Sequence, residues 1–323
     1  MRIRAGIEMR RALPVAIAIA IAPAACKPRE APTPPPAHAS PSQVADSGAA
    51  VMIGAGDIGV CGSVGDEETA QIVDSVLAVD SAAGVPAVVF TLGDNAYPAG
   101  LDRDFVRCFG SWGNKKRIAA AIRPAIGNHD FQSQRGSAYY RYFGARAGPR
   151  YKGYYSYDIG AWHAIVLNSE LVYEGSLFER TEQEDWLKKD LAENHKLCTV
   201  AYFHRPLFSS GAHGASPQMR GFWKTLANGG VDLVLGGHEH HYERFLPMNA
   251  AGEVDTLNGM EEIIAGTGGG GLTGIRRRVA RNSLVQIQGH WGVLILTLGG
   301  AAYRSALLGV DGQIWDSAGR KCH

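Results

Sequence analysis

The chain has almost no net charge. Its 32 Lys and Arg offset 31 Asp and Glu over 323 residues, leaving +1 with histidine neutral. That excludes a dominant nucleic-acid surface, because affinity there rests on many cations neutralising phosphates. A small anionic ligand stays open, since its recognition is local. The apolar run near the start, Leu13 to Ala25, is about thirteen residues, and a bilayer takes roughly 20. No Gly-Lys-Ser/Thr follows Gly266-Thr267-Gly268-Gly269-Gly270-Gly271, which excludes a phosphate-binding P-loop there and leaves a tight turn. No internal repeat and no second linker divides the chain after its N-terminal part. Cysteine is scarce, at five residues.

The apolar run has Arg10 and Arg11 before it and Ala24-Ala25 at its end, so residues 1–26 read as an export signal. Ala24-Ala25-Cys26 resembles a bacterial lipoprotein cleavage site, which would place a lipid on Cys26 and make it the sole membrane contact. Residues 27–50 are rich in Pro, Ala and Ser and read as an extended tether. The expected location is the periplasm or the outer surface. An oxidising compartment permits disulfides among Cys61, Cys108, Cys198 and Cys322, with three connectivities open.

From Val51 to the end, residues 51–323, one α/β domain is the simplest reading. Val51-Met52-Ile53, Ala87 to Leu92, Trp162 to Leu167, Thr199 to Phe203 and Val231 to Leu235 are short, apolar and β-branched, and read as buried strands. Asp66 to Ala83 reads as a helix burying Ile72, Val76 and Val79. Thr181 to Glu193 reads as a helix opened by a Thr181-x-x-Glu184 capping box. Its Glu184/Lys188 and Asp185/Lys189 pairs stand at i,i+4, and Trp186, Leu187 and Leu191 make its buried stripe. Beyond Glu261 the pattern is mostly strand and glycine.

Polar residues collect where these strands end: Gly56-Asp57-Ile58-Gly59, Gly93-Asp94-Asn95-Ala96-Tyr97, Gly127-Asn128-His129-Asp130 after Ile122 to Ile126, His204, and Gly236-Gly237-His238-Glu239-His240. Loops at strand carboxyl ends gather ligands in open α/β sheets. Carboxylate, phenol, amide and imidazole donors together suit Fe, Zn or Mn. Gly54-x-Gly56-x-x-Gly59 also fits a dinucleotide fingerprint, but that reading leaves the four later blocks unexplained.

The five blocks, in this order, resemble the calcineurin-like metallophosphoesterases, and Tyr97 resembles the purple acid phosphatase branch. The resemblance implies a four-layer α/β/β/α sandwich. It implies one metal on Asp57, Tyr97 and His240, another on Asn128, His204 and His238, and Asp94 bridging them. Where many relatives carry an Asp-x-His ligand, this chain has Gly59, and Tyr97 supplies the compensating donor. The implied pair is Fe³⁺ with Fe²⁺, Zn²⁺ or Mn²⁺. The implied reaction is hydrolysis of a small phosphate monoester, with hydroxide on the metals attacking phosphorus in line. His129 and His213 are the candidate catalytic groups, with Asp130 expected to orient the His129 ring. In some purple relatives a second His follows His213; here that place is Gly214. A phosphodiesterase or nucleotide hydrolase on the same metals is the alternative, and a non-catalytic lipoprotein that binds phosphate or a partner is a further one.

The expected disulfides are Cys61–Cys108, tying the loops after the first two strands, and Cys198–Cys322, pinning the C-terminal tail beside the His204 strand. His163 is expected to be a satisfied sheet histidine and His241 to sit behind the ligands. Arg276-Arg277-Arg278 is expected to be a solvated patch, with contact to a phosphate-rich substrate as the lesser reading.

Overall fold

Side-chain alternation decides the layering. In the computed structural model, which describes residues 48–323, strand β1 (Ala50–Ala55) turns Met52 toward one apolar layer and Val51 and Ile53 toward another. The export signal and nearly all of the tether lie outside the described residues. The other strands are β2 (Ala87–Leu92), β3 (Ile122–Ala125), β4 (Tyr155–Ile159), β5 (Trp162–Val166), β6 (Cys198–Tyr202) and β7 (Leu233–Gly236). They continue with β8 (Tyr242–Phe245), β9 (Glu261–Ala265), β10 (Ser283–Ile287), β11 (Gly292–Leu298), β12 (Ala302–Gly309) and β13 (Ile314–Lys321).

They form two sheets, in the orders β13-β12-β11-β1-β2-β3 and β10-β8-β9-β7-β6-β5-β4. The pairs β1–β2, β2–β3, β5–β6, β6–β7 and β7–β9 are parallel, and antiparallel strands complete the edges. Between the sheets lie Met52, Phe90, Leu92, Trp162, Val200, Tyr202, Leu235 and Leu296. Outside the first sheet, Val73, Val76 and Leu77 of the helix Gly65–Ala83 pack with Phe105, Phe109 and Trp112. Outside the second, Leu187, Phe222, Trp223 and Leu226 cover Ala201, Val234 and Ile264. The result is the four-layer α/β/β/α sandwich that the sequence motifs imply. Strands β1, β5, β6 and β7 are buried along their whole length, on both faces, which is why they read as largely apolar runs.

Three local expectations are corrected. The helix Gly65–Ala83 buries Val73, Val76 and Leu77, while Ile72 is half-buried and Val79 exposed, so the true stripe is offset from the expected one. The helix expected from Thr181 runs Leu177–Glu193. Its capping box is Ser176 with Glu179, where the Ser176 hydroxyl accepts from Glu179 N and the Glu179 carboxylate from Ser176 N. Leu177 and Phe178 face solvent, so no buried stripe marks that first turn. Lys188 contacts both Glu184 (3.0 Å) and Asp185 (3.7 Å), and Lys189 turns instead to Glu193 (3.8 Å).

Both expected disulfides are formed. His163 is satisfied on both ring nitrogens, by Asp158 at 2.8 Å and Asp190 at 2.9 Å.

Candidate metal centre

The C-terminal ends of β1, β2, β3, β6 and β7 open onto one place. The backbone there is strained: Asp57, Asp94 and His238 all have positive φ (60°, 49° and 69°). Non-glycine residues seldom adopt that region, and such strain concentrates at functional sites. Glycines make room. A Cβ on Gly127 would lie 2.3 Å from Asp94 Oδ1, and one on Gly266 2.6 Å from Asp57 Oδ2. This accounts for the glycine run from Gly266 as a close-packed turn beneath the site. Gly54, from the dinucleotide-like pattern, has another purpose: a Cβ there would reach 1.9 Å from Phe90 O on the neighbouring strand.

Two groups of donors converge. In the first, Tyr97 Oη lies 3.1 Å from Asp57 Oδ1, 3.1 Å from Asp94 Oδ2 and 3.0 Å from His240 Nε2. Burial, reinforced by the two carboxylates, pushes the Tyr97 phenol well above its ordinary range. A cation seated among these oxygens would reverse that balance. In the second, His204 Nε2 lies 3.0 Å from Asn128 Oδ1, 3.2 Å from His238 Nδ1 and 3.4 Å from Asp94 Oδ2. Asp94 is the residue common to both groups.

Backbone carbonyls aim the imidazoles. His204 Nδ1 is 2.8 Å from Leu92 O, and His240 Nδ1 is 2.5 Å from Gly271 O. A carbonyl only accepts, so each Nδ1 carries a proton and each Nε2 faces the cluster. This is how metal-binding histidines are oriented. A neutral His204 would then place two acceptors, Nε2 and Asn128 Oδ1, against each other at 3.0 Å. Either a proton or a metal must lie there. Although burial lowers the His204 pKa, the Asp94 carboxylate outweighs it and raises the value to about 10. His240 is raised to about 9, with burial opposed by Asp57. His238 is lowered to about 2 by burial and by the charges of His204 and Arg205. The donor set fits two cations, with Asp57, Asp94, Tyr97 and His240 able to hold one and Asp94, Asn128, His204 and His238 the other.

The candidate catalytic groups divide. The His213 ring packs on His238 (centroids 4.6 Å) and faces His240 (6.3 Å), with its side chain half-exposed. His129 packs at a tilt against Tyr97 (centroids 4.5 Å), and its Nε2 is 3.9 Å from Asp94 Oδ2. Asp130 does not orient that ring. The carbonyl of Pro98 does, at 2.6 Å from His129 Nδ1. The buried Asp130 carboxylate instead accepts from Asn95 N, Asn95 Nδ2, Ala96 N and Gly127 N. As the third residue of the helical turn Asn128–Gln132 it caps the free amide of Gly127, and its bonds to Asn95 and Ala96 tie the β3 loop to the β2 loop.

Three supporting residues escaped sequence reasoning. Glu239, between two candidate ligands, is buried and accepts from His213 N (3.2 Å) and Gly214 N. Arg205, directly after His204, is held by the buried Glu170 (2.9 Å) and approaches His238 Nε2 at 3.2 Å. A polar Asn168-Ser169-Glu170 after β5 was the available signal for Glu170. His241 lies behind the cluster as expected, 3.2 Å from the Glu243 carboxylate.

The chain belongs to the calcineurin-like phosphoesterase family, whose sequence model matches residues 52–242. It is 33% identical over 131 residues to purple acid phosphatase 15 of Arabidopsis thaliana, covering 36% of this chain and 24% of the relative. It is 32% identical over 189 residues to the uncharacterized protein Rv2577 of Mycobacterium tuberculosis, covering 51% and 36%. Human acid phosphatase type 7 is 29% identical over 223 residues, covering 59% and 50%. These matches thus span half or less of each relative's length. Among solved structures, purple acid phosphatase PPD1 from yellow lupin seeds superposes with a TM-score of 0.72 at 20% identity, over 85% of this chain and 54% of that one. The two share the fold.

Proposed function

We propose that this calcineurin-like phosphoesterase hydrolyses small phosphate monoesters on two metal ions. The observation that carries the reading is the convergence of Asp57, Asp94, Tyr97, Asn128, His204, His238 and His240, with Tyr97 Oη 3.0 Å from His240 Nε2, and Asn128 Oδ1 and Asp94 Oδ2 3.0 and 3.4 Å from His204 Nε2. So many buried carboxylate, phenol, amide and imidazole donors aimed at one place suit cations, which would take the positions that protons bridge otherwise. Two ions there would polarise a phosphoryl group and lower the pKa of water.

The chain's own residues have separate tasks in this reading. Leu92 O and Gly271 O fix the imidazole tautomers, and Glu239 holds the turn that carries His213. His213, half-exposed over the two ligand histidines, gives a proton to the departing alkoxide. His129 Nε2, beside Asp94 and open to the cleft, contacts the phosphate. Asp130 keeps two loops in register.

Resemblance to the purple acid phosphatases supports a ferric ion on the Tyr97 side, with Fe²⁺, Zn²⁺ or Mn²⁺ beside it. Two disulfides support an exported protein, and the first strand at Ala50–Ala55 supports a catalytic domain that begins near residue 51. The test is metal analysis with turnover of 4-nitrophenyl phosphate and its bis ester. Preference for the bis ester makes the protein a diesterase. Failure of the metal-loaded protein on both makes it a binding protein.

A further inference from the structure

The segment 271–281 is built onto the site at both ends. Gly271 O takes His240 Nδ1, and Thr273 N donates to His240 O (3.0 Å). Further on, Ile275 bridges to Gly211, Arg276 N donates to Ser210 O (2.8 Å) and Ala280 N donates to Ser210 Oγ (2.8 Å). The segment is therefore clasped to the turn that carries His213.

Across that turn lies the Arg276 guanidinium. Its Nη2 donates to Ala212 O at 2.6 Å. A Cβ on Gly214 would fall 2.8 Å from its Nη1 and 3.1 Å from its Cζ, and Gly214 has φ +85°. The positive φ disfavours a side chain at position 214, and the guanidinium takes the space beside it. Arg276 thus touches the residues on either side of His213, whose ring packs on His238.

This cation is not neutralised. Arg276, Arg277, Arg278 and Arg281 are exposed, and none forms an ion pair among the described residues. The nearby Glu239 is buried beneath the turn and already accepts from His213 N and Gly214 N. One Arg276 donor is used on Ala212, and most of its five N–H groups are left for a ligand. A planar guanidinium fork suits a phosphate or carboxylate.

We propose that Arg276 is a specificity-determining residue that binds a second anionic group of the substrate, beyond the phosphate held at the metals. The preferred substrates are phosphate monoesters carrying a further phosphate or carboxylate, with the exposed Arg277, Arg278 and Arg281 of the same segment adding long-range attraction. This inference rests on the phosphoester-hydrolase reading of the site.

The test uses two non-hydrolysable probes, propane-1,3-diphosphonate and propylphosphonate, bound to metal-loaded protein and followed by calorimetry. Wild type should bind the diphosphonate more tightly, with the excess shrinking at high salt. Arg276→Gln keeps a donor for Ala212 O and loses the charge. It should weaken the diphosphonate roughly five- to tenfold and propylphosphonate less than twofold. Arg276→Lys, which keeps charge without the fork, should fall between. Equal weakening of both probes would assign Arg276 to support of the His213 turn and overturn the proposal, as would no weakening of either. Turnover of 4-nitrophenyl phosphate is measured separately. Its absence alongside intact diphosphonate selectivity would reject the hydrolase reading and leave the anion selectivity standing.

Discussion

Tyr97 Oη and Asp94 Oδ2 lie 3.1 Å apart, three residues from each other in sequence and on the same strand-end loop. A phenol and a buried carboxylate at that distance share a proton or a cation. With Fe³⁺ beside Tyr97, the phenolate gives a visible charge-transfer band. Tyr97→Phe should bleach the band. A colourless active wild type with stoichiometric iron would remove Tyr97 from the ferric ion. A colourless wild type with only divalent metals would sink the iron assignment.

Asp94 touches both donor groups, so Asp94→Asn should weaken both metals together. A loss of at least about 10²-fold in affinity is expected, because even residues that only support a ligand contribute about 10–100-fold. Metal content after dialysis is the readout. Loss of one ion with full retention of the other would show that Asp94 does not bridge.

His213→Ala should slow alkyl phosphates far more than 4-nitrophenyl phosphate, because a good leaving group needs no proton. A positioned acid contributes roughly 10²–10⁴ in rate. Equal slowing of both substrates would leave His213 a binding role only.

His163 joins β4 and β5 to the helix Leu177–Glu193 through Asp158 and Asp190. Burial lowers its pKa, but the two carboxylates outweigh burial and the net shift is upward. The charged pairings therefore stabilise the fold fully below the unfolded value near 6.5, and that contribution fades as pH rises through the folded pKa. His163→Gln should cost on the order of 1–3 kcal/mol at pH 5.5 and less at pH 9. Thermal unfolding at the two pH values checks the sign, and an equal cost at both would refute the charged pairing.

Cys322→Ser opens a link that spans 124 residues of chain. Such closures contribute about 2–4 kcal/mol. Denaturant unfolding under non-reducing conditions should show a lower midpoint. An unchanged midpoint would mean that the tail is held by Asp232, which accepts from His323 N at 2.9 Å.

The layers and the donor set were legible because both leave marks on short stretches. A doubly buried strand is an apolar run, and Gly237-His238-Glu239-His240 puts its donors side by side. The supporting geometry left fewer marks. Asp130 stands next to His129 in sequence, yet its carboxylate turns to the amides of Asn95, Ala96 and Gly127, and adjacency could not show which way it points. Thr181 and Ser176 both begin a capping-box pattern, and with Leu177 and Phe178 exposed no apolar stripe chose between them. The positive φ of Asp57, Asp94 and His238 is a property of the docked loops, invisible in residue types that ordinarily avoid it.

The donors come from different sheets. Asp57, Asp94, Tyr97 and Asn128 follow strands of the first sheet, and His204, His238 and His240 follow strands of the second. Each proposed ion would have ligands from both, and neither sheet alone could assemble either site. Loading must then come after the halves have docked, so an ion arriving early finds only scattered donors. Once in place, the pair acts as a rivet through the sandwich. Separating the sheets would strip each ion of part of its ligands, so bound metal should raise the stability of the sandwich and chelation should lower it.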